Sequence, residues 1–409
     1  MSFVGRLREF VRDQSRNYNI LLIRGIFASF LTQLAENFNN LYIVALGATP
    51  LQLSTVQAVG SAVSALISIP AGWLSDMYSL KKILILGMLI QVLSVVFYAF
   101  ARNWIWIIVA VVFATLTMTL VWRIQNIFIA NSLTDHNRAT GYGMRTMIIQ
   151  LFSIFAPTIG GILVHFFGGI SAEGIRPLYL IQLIGFSAIG IYVSLKLEDI
   201  EPEKDAQAME FLGHYREMFR AGKGLVRFTS LQALGSITWG MSMPFPFIYA
   251  ADFKGADSLV IGYMGTCIVL ISMLLAIPMG SLADRKGRKF TIFLTRPFFY
   301  GSHILLVLAP KGVPWLLLLA WGMRGVMMSS FGAWMTMSME MVPREYRGRW
   351  TGFNSLFQNL IRVPAVLLGG YLYENVNPVL VFIIPIIVDA LVRMPILATV
   401  PETLKEQGQ

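Results

Sequence analysis

The sequence predicts an all-α membrane protein of twelve transmembrane helices, written as two six-helix pseudo-repeats. Three observations predict it. The 409 residues are 56% hydrophobic and only 13% charged, with a mean hydropathy of +0.65; a soluble domain carries roughly twice that charge, about 25%. The apolar residues fall into twelve long runs. Finally, Ile69-Pro70-x-Gly72-x-Leu74-x-Asp76 returns as Ile277-Pro278-x-Gly280-x-Leu282-x-Asp284. Arg138 and Gly143 match Arg347 and Gly352, and Gly160-Gly161 matches Gly369-Gly370, at nearly the same offset. A shared offset over separate segments marks an internal repeat.

The runs lie at 19–46, 51–75, 83–101, 104–130, 142–167, 177–196, 227–251, 258–283, 290–309, 314–340, 350–374 and 378–400. A bilayer needs about 20 apolar residues per helix. Runs of this length must be helical, because lipid offers the backbone no hydrogen-bond partners. Pro157, Pro244, Pro246, Pro364, Pro385 and Pro395 sit inside runs and mark expected kinks. Residues 1–196 form the first six-helix bundle and 227–409 the second. Between them, 197–226 is charged and then amphipathic (Phe211, Leu212, Tyr215, Met218, Phe219), as expected of a linker with an interfacial helix.

The formal net charge of +10 does not point to nucleic acid, because the basic residues cluster in short loops. With the N-terminus inside, about 22 of the 32 Lys and Arg fall on the cytoplasmic side, about 4 outside and about 6 within spans. Both termini are therefore expected in the cytoplasm of a cell carrying this multi-pass protein in its plasma membrane. The compact loops point to a prokaryotic source, and a monomer is expected. The run after Arg6, Arg8, Arg12 and Arg16 is too long and too polar for a cleaved signal. One cysteine, Cys267, and four scattered His exclude a disulfide framework and build no metal cluster. No Gly-x-x-x-x-Gly-Lys-Ser/Thr cradle occurs, so no cofactor and no enzymatic site are expected.

Charges inside spans are costly, about 2.5–3.5 kcal/mol for a central Arg, Lys or Asp, and usually face a cavity or a partner. Ser29, Gln33, Glu36, Asn37 and Asn40 form one polar face of the first span. Arg24 shares that span but lies about 18 Å from Glu36 along the helix and about 120° around it, so the two cannot pair. Thr115, Thr119 and Arg123 repeat the pattern in the fourth span, beside Trp122 and Asn126. Glu36 is the leading proton-carrier candidate, since a carboxylate in a partly dry cavity can load and release a proton near neutral pH. Asp389 is kept as a second proton-coupling candidate, although Arg393 four residues on favours an intrahelical pair. Arg296, Arg324 and Arg362 have no obvious sequence partner, and arginine suits anionic solutes. Trp239, Met241, Met243, Phe245 and Phe247 in the seventh span, with Met323, Met327, Met328, Phe331, Trp334 and Met335 in the tenth, would suit bulky apolar or amphipathic solutes.

The loop signature resembles that of the major facilitator superfamily, Gly-x-Leu-Ala-Asp-Arg-x-Gly-Arg-Lys. The second copy matches throughout: Gly280, Leu282, Ala283, Asp284, Arg285, Gly287, Arg288 and Lys289. The first keeps Gly72, Leu74, Asp76 and Lys81 but has Met77, Ser79 and Leu80 elsewhere. Paired membrane repeats of this kind are how many secondary transporters are built. The resemblance implies the superfamily fold, alternating access by two rocking halves, and a cavity lined by spans one, four, seven and ten. It also implies that the signature Asp faces a helix N-terminus of the other half and that Arg285 or Arg288 pairs with Glu340. Asn131 stands where the first repeat would have its acid, so the latch is expected in the second half alone. Pro157-x-x-Gly160-Gly161 partly resembles the antiporter motif of drug-efflux members, with Ala156 and Phe152 in place of glycines. The expectation is a proton-coupled carrier of a small organic solute, leaning to efflux of apolar or amphipathic compounds. Organic-anion or nutrient uptake through Arg24, Arg123, Arg324 or Arg362 is the alternative, and a non-transporting sensor or scaffold is a third reading.

Overall fold

A computed structural model describes residues 15–68, 79–132, 138–199, 219, 225–343 and 346–406. The regular structure among these residues is helical, and none of them forms a strand. The first half comprises α1 (Arg16–Glu36, continued by Asn39–Ala45), α2 (Pro50–Ile67), α3 (Leu80–Ala99), α4 (Trp104–Ser132), α5 (Arg138–Ser153 and Ala156–Phe166) and α6 (Ala172–Lys196). The second comprises α7 (Leu225–Ser242 and Pro246–Lys254), α8 (Ser258–Lys286), α9 (Arg288–Leu308), α10 (Pro314–Ser329 and Phe331–Glu340), α11 (Arg347–Asn375) and α12 (Leu380–Val388, Asp389–Arg393 and Met394–Thr399). Ten of these segments are long and apolar enough to cross a membrane. The other two, α7 and α11, complete the set. The first is broken by Pro244 and Pro246, and the second is diluted by Asn354, Gln358, Asn359 and Arg362. Gly72, Asp76 and most of the 197–226 linker lie outside the described residues.

Local chemistry sets the helix ends. Thr49 and Gln52 form a reciprocal capping box at α2, satisfying two donors that a helix start leaves open. Ser171 and Asp257 cap α6 and α8 by accepting from Gly174 N and Val260 N. The α6 cap lies upstream of the apolar run, so Arg176 is helical and donates to Ala101 O at 2.9 Å instead of lying in a loop. Proline explains the interruptions. Pro157 and Pro246 each stand at the start of a second helical piece, where a missing N–H costs nothing. In α12 the residues before Pro395 widen into a π-turn, Asp389–Arg393, with Met394 N–H reaching back to Asp389 O.

Within the halves, α3 packs on α4 and α6, and α10 packs on α8 and α9. Two seams join the halves: α2 against α11, and the second piece of α5 against α8. Leu66, Met118, Ile184, Leu195 and Ile277 are exposed on the outside, an apolar surface that acyl chains cover. The end of the bundle carrying Asp284, Arg288 and Glu340 is here termed the signature end, and the opposite one the far end.

Candidate functional site

The halves meet tightly at the far end. Asn37 Nδ2 of α1 donates to Ile261 O of α8 at 3.4 Å, and Asn40 Nδ2 donates to Pro244 O at 3.0 Å. Pro244 precedes the restart of α7 at its break, so its carbonyl is open to an outside donor. The Thr158 and Thr266 hydroxyls share a hydrogen bond at 2.7 Å, and Leu51 N donates to Glu374 Oε2 at 2.8 Å. Backbones nearly touch: a Cβ on Gly161 would lie 2.5 Å from Ser258 O, and one on Gly262 2.7 Å from Pro157 O. The span-five motif thus sits in a close helix crossing, with Gly160 against Leu34 O of α1. Small residues permit such approach.

On the signature side of this seal lies a cavity of about 430 Å³. Met327, Met328, Phe331, Trp334 and Met335 of α10 form an apolar wall. Facing it, Gln232 and Ser236 of α7 and Asn354, Gln358, Asn359 and Arg362 of α11 form a polar one. Trp239 joins the two. The polar stripe of α11 was legible as Asn354, Gln358 and Arg362 at four-residue spacing; sequence reasoning concentrated on the first and fourth spans and missed it.

The expected residues divide by position. Glu36 is exposed to solvent-sized space and makes no hydrogen bond or ion pair among the described residues. It adjoins Asn37 and lies one turn from Asn40 of the seal, on the face that carries Gln33 and Ser29. Gln33 donates to Ser29 Oγ at 3.0 Å, and its buried Oε1 finds no partner among the described residues. Thr119 turns its hydroxyl back to Thr115 O at 3.0 Å. Arg24 is buried and donates to Gln125 Oε1 at 2.6 Å, so α4 engages it. The Arg123 side chain lies outside the described residues. Trp239, Met327, Phe331 and Arg362 line the cavity.

Two of the expected residues are buried and held by partners within the protein. Arg324, expected on the wall, is sealed behind it: it is 4% exposed, packs over Trp239 and Trp321 at 5.5 and 5.7 Å, and donates to Met243 Sδ. The indole of Trp239 covers it. Asp389, kept as a proton-coupling candidate, is fully buried. It accepts from Arg393 Nη1 at 2.9 Å and Tyr300 OH at 2.9 Å, and Arg296 Nη1 lies 3.7 Å away. Arg296 therefore has a partner, 93 positions downstream in α12 and invisible to local spacing. Both guanidiniums stack on Trp334, at 5.1 and 4.7 Å, a cation–π arrangement.

At the signature end the latch partner is Arg288. It bonds Glu340 Oε1 at 3.0 Å and Asp284 Oδ1 at 3.1 Å, while Arg285 is exposed. Asp284 is exposed beside Arg288, and among the described residues its ion pair is with Arg288 of its own half. Arg347 caps the end of α10 through Met339 O and Val342 O. Two residues were missed. Thr403 donates to Glu340 Oε2 at 2.5 Å, and Glu402 accepts from the N–H groups of Arg288 and Lys289 at 3.1 and 3.0 Å. A carboxylate at a helix start is favoured by the open N–H groups and the dipole there. Gly287, at φ +113, makes this turn, and a Cβ there would meet Glu402 Oε2 at 2.7 Å. We expect Glu340→Gln to cost about 1.5–3 kcal/mol, the range for hydrogen bonds to charged groups. Asp284→Asn, at the 72% exposed end, should cost at most about 1 kcal/mol. Melting temperatures of the purified variants check this, and equal losses would refute the ranking.

The family model described as Major Facilitator Superfamily matches residues 20–234 and 228–407. An uncharacterized MFS-type transporter of Methanocaldococcus jannaschii is 24% identical over 270 residues, covering 65% of this chain and 68% of that one. The crystal structure of the nucleoside transporter NupG superposes with a TM-score of 0.74 at 14% identity, covering 93% of this chain and 98% of that one. A D-xylose-proton symporter does so with a TM-score of 0.69 at 15% identity, covering 98% and 99%. These likenesses to solved structures extend to the fold.

Proposed function

The chain belongs to the Major Facilitator Superfamily, and on that premise we propose that this secondary transporter is proton-coupled, exports a small amphipathic organic solute, and carries the proton on Glu36. The halves, residues 1–196 and 227–409, rock about the far-end seal, and the cavity is lined by α7, α9, α10, α11 and α12 of the second half. The Lys and Arg excess puts the signature end in the cytoplasm, so the conformation described is sealed outside, with its cavity on the cytoplasmic side.

The observation that carries the reading is Glu36: a carboxylate without a protein partner among the described residues, exposed beside the seal that must break for the halves to rock. Protonation removes a charge that a closing, drying cavity would penalise. One residue can thereby link proton occupancy to closure. Facing amide-rich and Met/aromatic walls support an amphipathic solute, because each half of such a molecule meets matching surface.

Proteoliposomes loaded with a pH dye and challenged with membrane-impermeant amphipathic solutes under an imposed pH gradient test the reading. Wild type should move protons when solute is added. Glu36→Gln should abolish this movement while still binding solute. Undiminished proton movement in Glu36→Gln rejects that residue as carrier, and none in wild type for any solute rejects proton coupling.

A further inference from the structure

We infer that the solute is an anionic amphiphile, its negative group held by Arg362 and its apolar body lying against Trp239 and the Trp334 wall. The inference rests on the transport reading above and names the substrate class of the same cavity.

Three guanidiniums line the cavity, those of Arg296, Arg362 and Arg393. The acid that answers them among the described residues is Asp389, and it is committed to Arg393 and Arg296. Even inside that cluster the cations outnumber the anion, and the buried Nε of Arg296 has no acceptor among the described residues. Arg362 makes no hydrogen bond or ion pair among the described residues. A charge held in a half-dry protein cavity without a partner is disfavoured unless something neutralises it. Water alone does this poorly in a space walled on one side by Met327, Phe331 and Trp334.

The surroundings of Arg362 are built for an anion with an apolar tail. Its stem packs on α7 at Gly240, where a Cβ would come within 3.0 Å of Cγ, so the fork is held from behind. One turn earlier on α11, Gln358 takes a hydrogen bond from Ser236 at its Oε1, which leaves its amide N–H groups free to donate beside the guanidinium. Arg393 packs on α7 at Gly235, five residues from Gly240, or about 7.5 Å along the helix. The two arginines thus pack on α7 either side of Trp239 in the chain, and Arg393 stacks on Trp334 at 4.7 Å. An arginine fork with neighbouring amides suits a carboxylate or a phosphate equally in charge and geometry.

Calorimetric titration of the purified 409-residue chain with 2-naphthoate, 1-naphthyl phosphate and neutral 2-naphthamide decides the matter. Wild type should bind at least one of the two anions about tenfold or more tightly than the amide; which of them binds identifies the anionic group. Arg362→Gln should weaken the anion by about 10- to 100-fold, the reach of a charge-assisted hydrogen bond, and leave the amide unchanged. Should that variant not fold, Arg362→Lys keeps the charge and loses the fork, and should weaken the anion by about threefold or more. The inference is overturned if the amide binds as tightly as both anions, if neither anion binds, or if the folded Arg362 variant binds anions like wild type. Equilibrium binding needs no proton gradient, so such a result leaves coupling through Glu36 standing. Undiminished proton movement in Glu36→Gln, which rejects that residue as carrier, likewise leaves the anion site standing.

Discussion

Replacing Asp389 by Asn should destabilise the protein by about 3–5 kcal/mol, the range seen when one member of a buried ion pair is removed. The carboxylate is fully buried and stands between Arg393 and Arg296, with the Tyr300 hydroxyl on its second oxygen. Asparagine can keep one or two hydrogen bonds, but it leaves both guanidiniums uncompensated in a site where Arg296 is 6% exposed. Loss should appear as a large drop in melting temperature of the purified chain. A second substitution sharpens the test. Adding Arg296→Met removes one of the orphaned charges and fills its volume with apolar atoms, so the double variant should recover much of the loss. An Asp389→Asn protein that melts like wild type yet no longer couples solute to protons would reverse the assignment and make Asp389 a proton carrier.

Gly161→Val should open the far end. The close crossing of α5 and α8 leaves no room for a side chain: the first added carbon would sit 2.5 Å from Ser258 O and 3.0 Å from Gly262 Cα. Both obstacles are backbone and cannot rotate away. Overpacking of this kind costs about 1–3 kcal/mol or more, and the cost falls on the sealed conformation alone. The sealed population should drop by about 5- to 150-fold relative to the open one. Thr158→Cys with Thr266→Cys, in a Cys267→Ser background, reports on it, because those hydroxyls lie 2.7 Å apart across the seam. The pair should form a disulfide readily with Gly161 in place and poorly with valine. Equal cross-linking in both backgrounds would refute the proposed seal. Gly160 faces α1 of its own half, so Gly160→Val should lower stability without this selective loss.

The helical, membrane-embedded fold and its repeat were legible because their causes are local or compositional. Hydropathy is a property of each run, and the signature copies need no tertiary contact to be recognised. The polar face of α1 was legible for the same reason: a 3.6-residue period in lipid must turn inward. Asn37 and Asn40 indeed reach the other half. Arg324 shows where that logic ends. Its position in the tenth span suggests a cavity wall, yet rotation of α10 and the indole of Trp239 put it behind one. Arg285 and Arg288 were indistinguishable in the signature. The turn at Gly287 aims Arg288 at Glu340 and leaves Arg285 in solvent.

By itself, then, the amino-acid order determined a helical membrane chain built twice, because a bilayer forces every long apolar run to satisfy its own backbone and to hide its polar stripe. Which charges pair, which remain bare in the cavity, and which end is shut were decided only when the helices packed. Partner choice depends on helix rotation and on backbone approach at glycines such as Gly161 and Gly262, quantities that no single segment encodes.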